Sequence, residues 1–113
     1  MKKTPIAYVE LPVKDVAAAK EFYGPLFGWT FEDFGPDYAS FGDAGVSGGF
    51  NGGEEHKPAA PLLVLQTDDL EAMVKKVAAA GGVITLPIFS FPGGRRFHFK
   101  DPAGNELSVM QAD

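Results

Sequence analysis

Tyr8 and Glu10, Arg96 and His98, and Glu106 and Ser108 each stand two residues apart, and Gln66 closes the mostly apolar run that starts at Leu62. Successive side chains of an extended strand alternate between its faces, so a spacing of two aims both members of a pair the same way. A carboxylate or imidazole held like this can serve as a general base, and a guanidinium can steady a developing oxyanion. Glu10 or His98 is therefore the candidate base, and Arg96 the candidate for stabilising an oxyanion. Tyr8, Gln66, His98 and Glu106 are equally suited to orienting a small ligand by hydrogen bonds, with Ser108 on the same face as Glu106.

Other leads carry less. The stretch Gly45 to Gly53 lacks the Gly-Lys-Ser/Thr ending of a phosphate loop and runs into a connector, so it reads as bent strand and loop. Gly93-Gly94-Arg95-Arg96 sets two guanidinium groups beside a flexible loop, a possible anion clamp whose plainer reading is a solvated turn. His56 stands alone in the connector.

The totals limit the function classes. With 10 basic residues against 15 acidic, the chain lacks the clustered cations that a nucleic-acid backbone needs. No cysteine is present, which excludes thiolate nucleophiles and Cys-ligated metal, and fits a reducing cytoplasm. Met1-Lys2-Lys3 resembles the start of a signal peptide, but Glu10, Pro12 and Lys14 interrupt the apolar segment that would have to follow. No stretch has the length of a membrane-spanning helix, so a cytoplasmic protein with no membrane partner is expected.

The elements that would position these side chains repeat. Alternation from Ala7 to Val13 predicts a strand; Asp15 caps a helix over Ala17 to Phe27 that Gly24-Pro25 should end or kink. Extended segments follow at Trp29 to Phe34, Tyr38 to Phe41 and Val46 to Phe50. After a connector at 51–61 the order recurs. Leu62 to Thr67 is a strand, and Asp68 or Asp69 caps a helix through Leu70, Met73, Val74 and Val77 that Gly81-Gly82 stops. Strands at Val83 to Phe91, Arg95 to Lys100 and Asn105 to Met110 complete it. This is an α+β chain of two βαβββ repeats, one domain over 1–113 with halves at about 6–50 and 61–111. Alternation puts Val9, Leu11, Val13, Leu63, Leu65, Phe97, Phe99, Leu107 and Val109 under the helices, with Phe99 a core residue.

Val9-Glu10-Leu11-Pro12-Val13-Lys14-Asp15, Glu21-Phe22-Tyr23, Phe27-Gly28-Trp29, Asp68-Asp69-Leu70-Glu71, Gly81-Gly82 and Phe99-Lys100-Asp101-Pro102-Ala103-Gly104-Asn105 follow in an order and spacing that resembles the vicinal-oxygen-chelate superfamily. That superfamily includes glyoxalase I, extradiol dioxygenases and antibiotic-sequestering resistance proteins. The resemblance implies curved mixed sheets around a ligand cavity. It places Tyr8, Glu10, Gln66, Arg96, His98, Glu106 and Ser108 on the cavity side as ligand-binding residues. Its metal-ligand positions fall on Tyr8, Leu62, Ser108 and the neighbourhood of Gly48, Gly49 or Phe50, none a normal ligand. A metal-free protein without cofactor is expected, binding a small molecule. The alternative is a lyase or isomerase with a metal relocated to Glu10, His98 and Glu106. The resemblance and the small size also imply a homodimer, for which the aromatic-rich segment Phe22 to Phe34 offers a patch.

Overall fold

A computed structural model describes residues 2–113, so Met1, the first residue of the expected single domain and of the Met1-Lys2-Lys3 opening, lies outside the described part. The strands are β1 (Ile6–Pro12), β2 (Glu32–Asp33), β3 (Tyr38–Phe41), β4 (Gly48–Asn51), β5 (Leu62–Gln66), β6 (Val83–Phe91), β7 (Gly94–Lys100) and β8 (Glu106–Ala112). Helix α1 (Val16–Phe27) follows β1 and helix α2 (Leu70–Ala79) follows β5, giving β-α-β-β-β twice. The chain forms two compact units, one of residues Tyr8–Leu62 and one of Leu63–Asp113 with the N-terminal segment through Ala7. No helix among the described residues is long and apolar enough to cross a membrane.

In the Tyr8–Leu62 unit the strand order is β2-β3-β4-β1. β1 and β4 run parallel, whereas β2–β3 and β3–β4 are antiparallel. Asp15 caps α1 by accepting the Ala18 N–H, as its position before an apolar-periodic run demands. Leu11, Val13 and Phe50 meet Ala19 and Tyr23 of the helix. A chain of rings, Tyr23 on Trp29 at 5.2 Å and Trp29 on Phe41 at 4.8 Å, fills the rest.

Two expectations are corrected in part here. Gly24-Pro25 does not end α1, which continues to Phe27 and stops at Gly28, whose φ of 77° lets its N–H reach the Gly24 carbonyl. Pro25 lies in the last turn, where its missing N–H forfeits a single helical bond, and Phe31 packs closely on Gly24, where a Cβ would stand 3.2 Å from its ring. Of Trp29 to Phe34 only Glu32–Asp33 pairs as a strand. The Asp43 carboxylate takes the Thr30 N–H at 3.1 Å and its hydroxyl at 2.7 Å, satisfying the backbone by a side chain in place of the expected ladder bond.

In the other unit the order is β5-β8-β7-β6, with β5 and β8 parallel. Pro87 falls in β6 at the end of this order, and the β6–β7 register shifts on either side of Leu86, so its missing N–H breaks no central ladder. Leu70, Phe97 and Val109 form the core, with Leu65, Met73, Val74, Val77 and Phe99 against it. The expected side of the sheet is therefore buried under α2, but its centre is Phe97, and Phe99 is only partly buried. Leu63 stays 39% exposed, because it lies on the helix-facing parity yet beyond the reach of the α2 side chains that cover Leu65.

Asp69, not Asp68, caps α2 through the Ala72 N–H, and the Leu70 N–H donates to the Gln111 side chain at 2.9 Å. Asp69→Ala should lower stability by about 1 kcal/mol. Asp68→Ala, read by the same urea unfolding curves, should change it by less than half as much. Asp101-Pro102-Ala103-Gly104-Asn105 closes as a side-chain-braced turn. One Asp101 oxygen accepts the Ala103 and Asn105 N–H groups, and the bonds from Asn105 hold its carboxyl below the ordinary range.

Candidate functional site

On β1 the side chains facing away from α1 are Tyr8, Glu10 and Pro12, and the register sets Gly49 beside Glu10 and Asn51 beside Pro12. Tyr38 and Ser40 of β3 continue the same two rows. Glu10, only 2% exposed, accepts the Tyr38 hydroxyl at 3.2 Å on one oxygen and the Asn51 amide at 3.3 Å on the other. The Tyr38 hydroxyl is also in contact with that of Tyr8 at 2.5 Å. Burial, then the negative charge of Glu10, then the Tyr8 hydroxyl push the Tyr38 phenol far above its ordinary range, so it stays protonated. A Cβ on Gly49 would stand 2.4 Å from the Tyr8 oxygen and 2.5 Å from that of Tyr38. The bare glycine is what lets the two hydroxyls meet.

A cavity of about 410 Å³ opens beside this network. Tyr8, Ser40, Thr30 and Ser47 bring hydroxyl-bearing side chains to its wall, Phe31 and Phe41 bring rings, and the charged residue among its described lining is Glu32.

In the second unit the registers put Gln66, Met110 and Arg96 in one row and Val64, Ser108 and His98 in the next. The side chains nevertheless have different surroundings. His98 is 1% exposed, with its Nδ1 3.9 Å from a Glu106 oxygen that also accepts the Thr85 hydroxyl at 2.8 Å. The Arg96 guanidinium lies 5.4 Å from the Phe89 ring and 5.5 Å from that of Phe91, a cation–π contact with each. The Ser108 hydroxyl donates to the Phe97 carbonyl. Gln66 remains exposed at the strand end, in a groove with Lys76 and Met73 of α2, whereas Arg96 of the same row is buried.

Tyr8 and Glu10 are thus joined through Tyr38, and His98 and Glu106 directly. Tyr38, Asn51, Thr85 and Phe89 are additional members that sequence reasoning missed. Tyr38 and Thr85 do fall on the right strand parity, Tyr38 two residues before Ser40, but which strand lies beside which is not written in that alternation.

The positions that would hold a metal do not fit one. Tyr8 is engaged with Tyr38, Leu62 is apolar and buried, Ser108 gives its proton to a carbonyl, and the two tyrosine hydroxyls take the space over Gly49. Among the described residues no three His, Asp or Glu side chains converge. A divalent ion needs several such donors at once.

Comparison with known proteins agrees with this architecture. The chain is 30% identical over 120 residues to "Putative glyoxylase CFP32" of Mycobacterium tuberculosis, covering 94% of this chain and 45% of that one. It is 34% identical over 126 residues to "Anthracycline biosynthesis protein DnrV" of Streptomyces peucetius, covering 93% and 46%. It therefore spans less than half the length of these relatives. The structure of a glyoxalase/bleomycin resistance protein/dioxygenase superfamily member from Vibrio splendidus superposes with a TM-score of 0.71 at 18% identity, over 96% of this chain and 99% of that one. A family profile described as Glyoxalase/Bleomycin resistance protein/Dioxygenase superfamily matches residues 5–109. With both β-α-β-β-β halves inside that span, the chain belongs to the glyoxalase/bleomycin resistance protein/dioxygenase superfamily.

Proposed function

We propose that the protein binds a small organic molecule, without a metal ion, against the strand faces turned away from its helices. The observation that carries this reading is the burial of Glu10, Asn51, Arg96, His98 and Ser108. A core gains nothing from such groups, each of which costs free energy to desolvate, whereas ligand sites hold a few polar groups among apolar walls. An aromatic ligand is the corresponding proposal, since two rings contact Arg96 and others line the Tyr8 cavity, and the similar DnrV is named for anthracycline biosynthesis. A cytoplasmic location goes with it, resting on the cysteine-free composition.

Metal analysis tests the metal-free part. Protein purified without added metal should carry well under one divalent ion per chain, and chelator should leave its melting temperature unchanged. A stoichiometric ion lost together with stability on chelation would overturn it.

A second reading, a lyase or isomerase, is favoured by the His98–Glu106 pair, a carboxylate beside a buried imidazole. Metal-independent exchange of a carbon-bound proton in a 2-hydroxy ketone, abolished by His98→Gln, would establish it.

The assembly follows from the exposed apolar side chains. Phe22, Leu26 and Phe27 on α1 are each more than half exposed, and the relatives CFP32 and DnrV are more than twice as long as this chain. A second copy is the proposed occupant of that helix face. Sedimentation equilibrium at micromolar concentration should give about 24 kDa, twice the 12.0 kDa chain, and Leu26→Glu should return it to the monomer. A wild-type species at the single-chain mass would refute the dimer.

A further inference from the structure

The glycine stretch that ends at Gly53 contains the one Asn-Gly step of the sequence, Asn51-Gly52, whereas the other asparagine, Asn105, precedes a glutamate. A glycine after asparagine leaves the next peptide nitrogen unobstructed by a Cβ and able to attack the side-chain amide. In that reaction the Gly52 nitrogen bonds to Asn51 Cγ, the Cγ–Nδ2 bond breaks, and ammonia leaves with the Gly52 proton. Water then opens the cyclic imide at either carbonyl, giving aspartate or isoaspartate. No reactant beyond water is consumed.

The fold holds the reacting groups away from this path. The Asn51 carbonyl accepts the Val13 N–H at 3.0 Å and the Gly52 N–H donates to the Asp37 carbonyl at 2.8 Å, so the peptide plane that carries the nucleophile is fixed on both sides. The side chain is fixed as well. Its Oδ1 accepts the Gly53 N–H at 2.9 Å, and its Nδ2 donates to Glu10 at 3.3 Å. Ring closure must turn that plane and swing the side chain, which breaks these bonds and parts the end of β4 from β1 and β3. Packing also retains the vulnerable glycine, because a Cβ at position 52 would stand 2.9 Å from Val16 Cγ2.

We propose that Asn51-Gly52 is a deamidation site gated by the opening of β4, which marks chains that have unfolded and spares those that stay folded. The mark opposes return to the native state. An aspartate at position 51 sets a carboxylate where an amide donor met the buried Glu10, and isoaspartate inserts a carbon into the backbone of a strand paired on both sides.

The full chain is held for days in mildly alkaline buffer, with and without urea, and its peptides are mapped by a separation that resolves aspartyl from isoaspartyl products. Asn51 should convert in urea faster than Asn105, and at least about tenfold more slowly in the folded chain than in urea. Reclosing is fast against this chemistry, so the rate in the folded chain follows the population of the open form. Gly48→Ala, whose Cβ would press on the Val9 carbonyl of β1, should therefore speed conversion of the folded chain several-fold and leave the rate in urea unchanged. Asn51→Asp should melt below the wild type.

Equal rates at Asn51 in the folded and the urea-unfolded chain would overturn the gate, as would a Gly48→Ala variant that melts lower yet converts at the wild-type rate. Should Gly48→Ala fail to fold, the wild-type comparison decides alone. No conversion at Asn51 in urea would overturn the site itself, and an Asn51→Asp variant as stable as the wild type would overturn the barrier to return.

Discussion

Replacing Phe97 with Ala should lower the free energy of unfolding by roughly 3–5 kcal/mol, among the largest losses any single side chain of this protein can produce. Phe97 is fully buried and sits at the centre of the cluster that α2 covers with Leu70, Met73 and Val77. Truncation removes its transfer free energy and leaves a void, which the paired strands on both sides of β7 prevent from collapsing. Phe99, on the same face but only partly buried, should lose about half as much when truncated. Urea unfolding of both variants checks the order. A loss at Phe97 below that at Phe99 would show that the helix-facing core is centred elsewhere.

Gly48→Ala should cost about 1–3 kcal/mol, against the usual direction of a glycine-to-alanine exchange inside a strand. The usual gain comes from restricting the unfolded chain. Here the added Cβ would stand 2.4 Å from the Val9 carbonyl oxygen, which is backbone, and 2.6 Å from the Phe41 ring, which Trp29 and Phe50 confine. Neither can withdraw without disturbing the parallel β1–β4 pair or the aromatic cluster. At Gly42, in the neighbouring turn, an added Cβ would have nothing within 4 Å and the φ is not left-handed, so Gly42→Ala should be neutral within about 0.5 kcal/mol. Thermal melts of the two variants decide it: equal stability would mean that the close approach at Gly48 relaxes freely.

The parts of this fold legible in the sequence are those written in local periodicity. The two-residue alternation of β1 and β7 separates Leu11 and Phe97 from Glu10 and His98 correctly, because a strand has no freedom to place neighbours on one face. Asp15 before α1 is equally plain, since a short side-chain acceptor ahead of an apolar-periodic run satisfies a helix's first N–H groups. Local signals mislead where a distant residue overrules them. Asp43 takes the backbone donor of Thr30, so the Trp29–Phe34 segment pairs only from Glu32, and Phe31 packing on Gly24 goes with a helix that runs through Pro25.

The site divides along the same line. Glu10, His98 and Ser108 are recognisable as polar residues on an apolar strand pattern. Tyr38 and Asn51 are not recognisable as partners of Glu10, because that requires the register of β3 on β4 and of β4 on β1. Gly49 shows the difference most clearly. In the sequence it is one glycine among 14; in the fold it is the floor over which the Tyr8 and Tyr38 hydroxyls link to a buried carboxylate.

Native mass spectrometry of the protein isolated from its own cells, paired with elemental analysis of the same sample, tests the central claim most directly. The account predicts a bound organic molecule that survives gentle desolvation, leaves on denaturation, and is present without a stoichiometric divalent metal. A chain that carries an equivalent of zinc, nickel, iron or manganese and no organic ligand would contradict it.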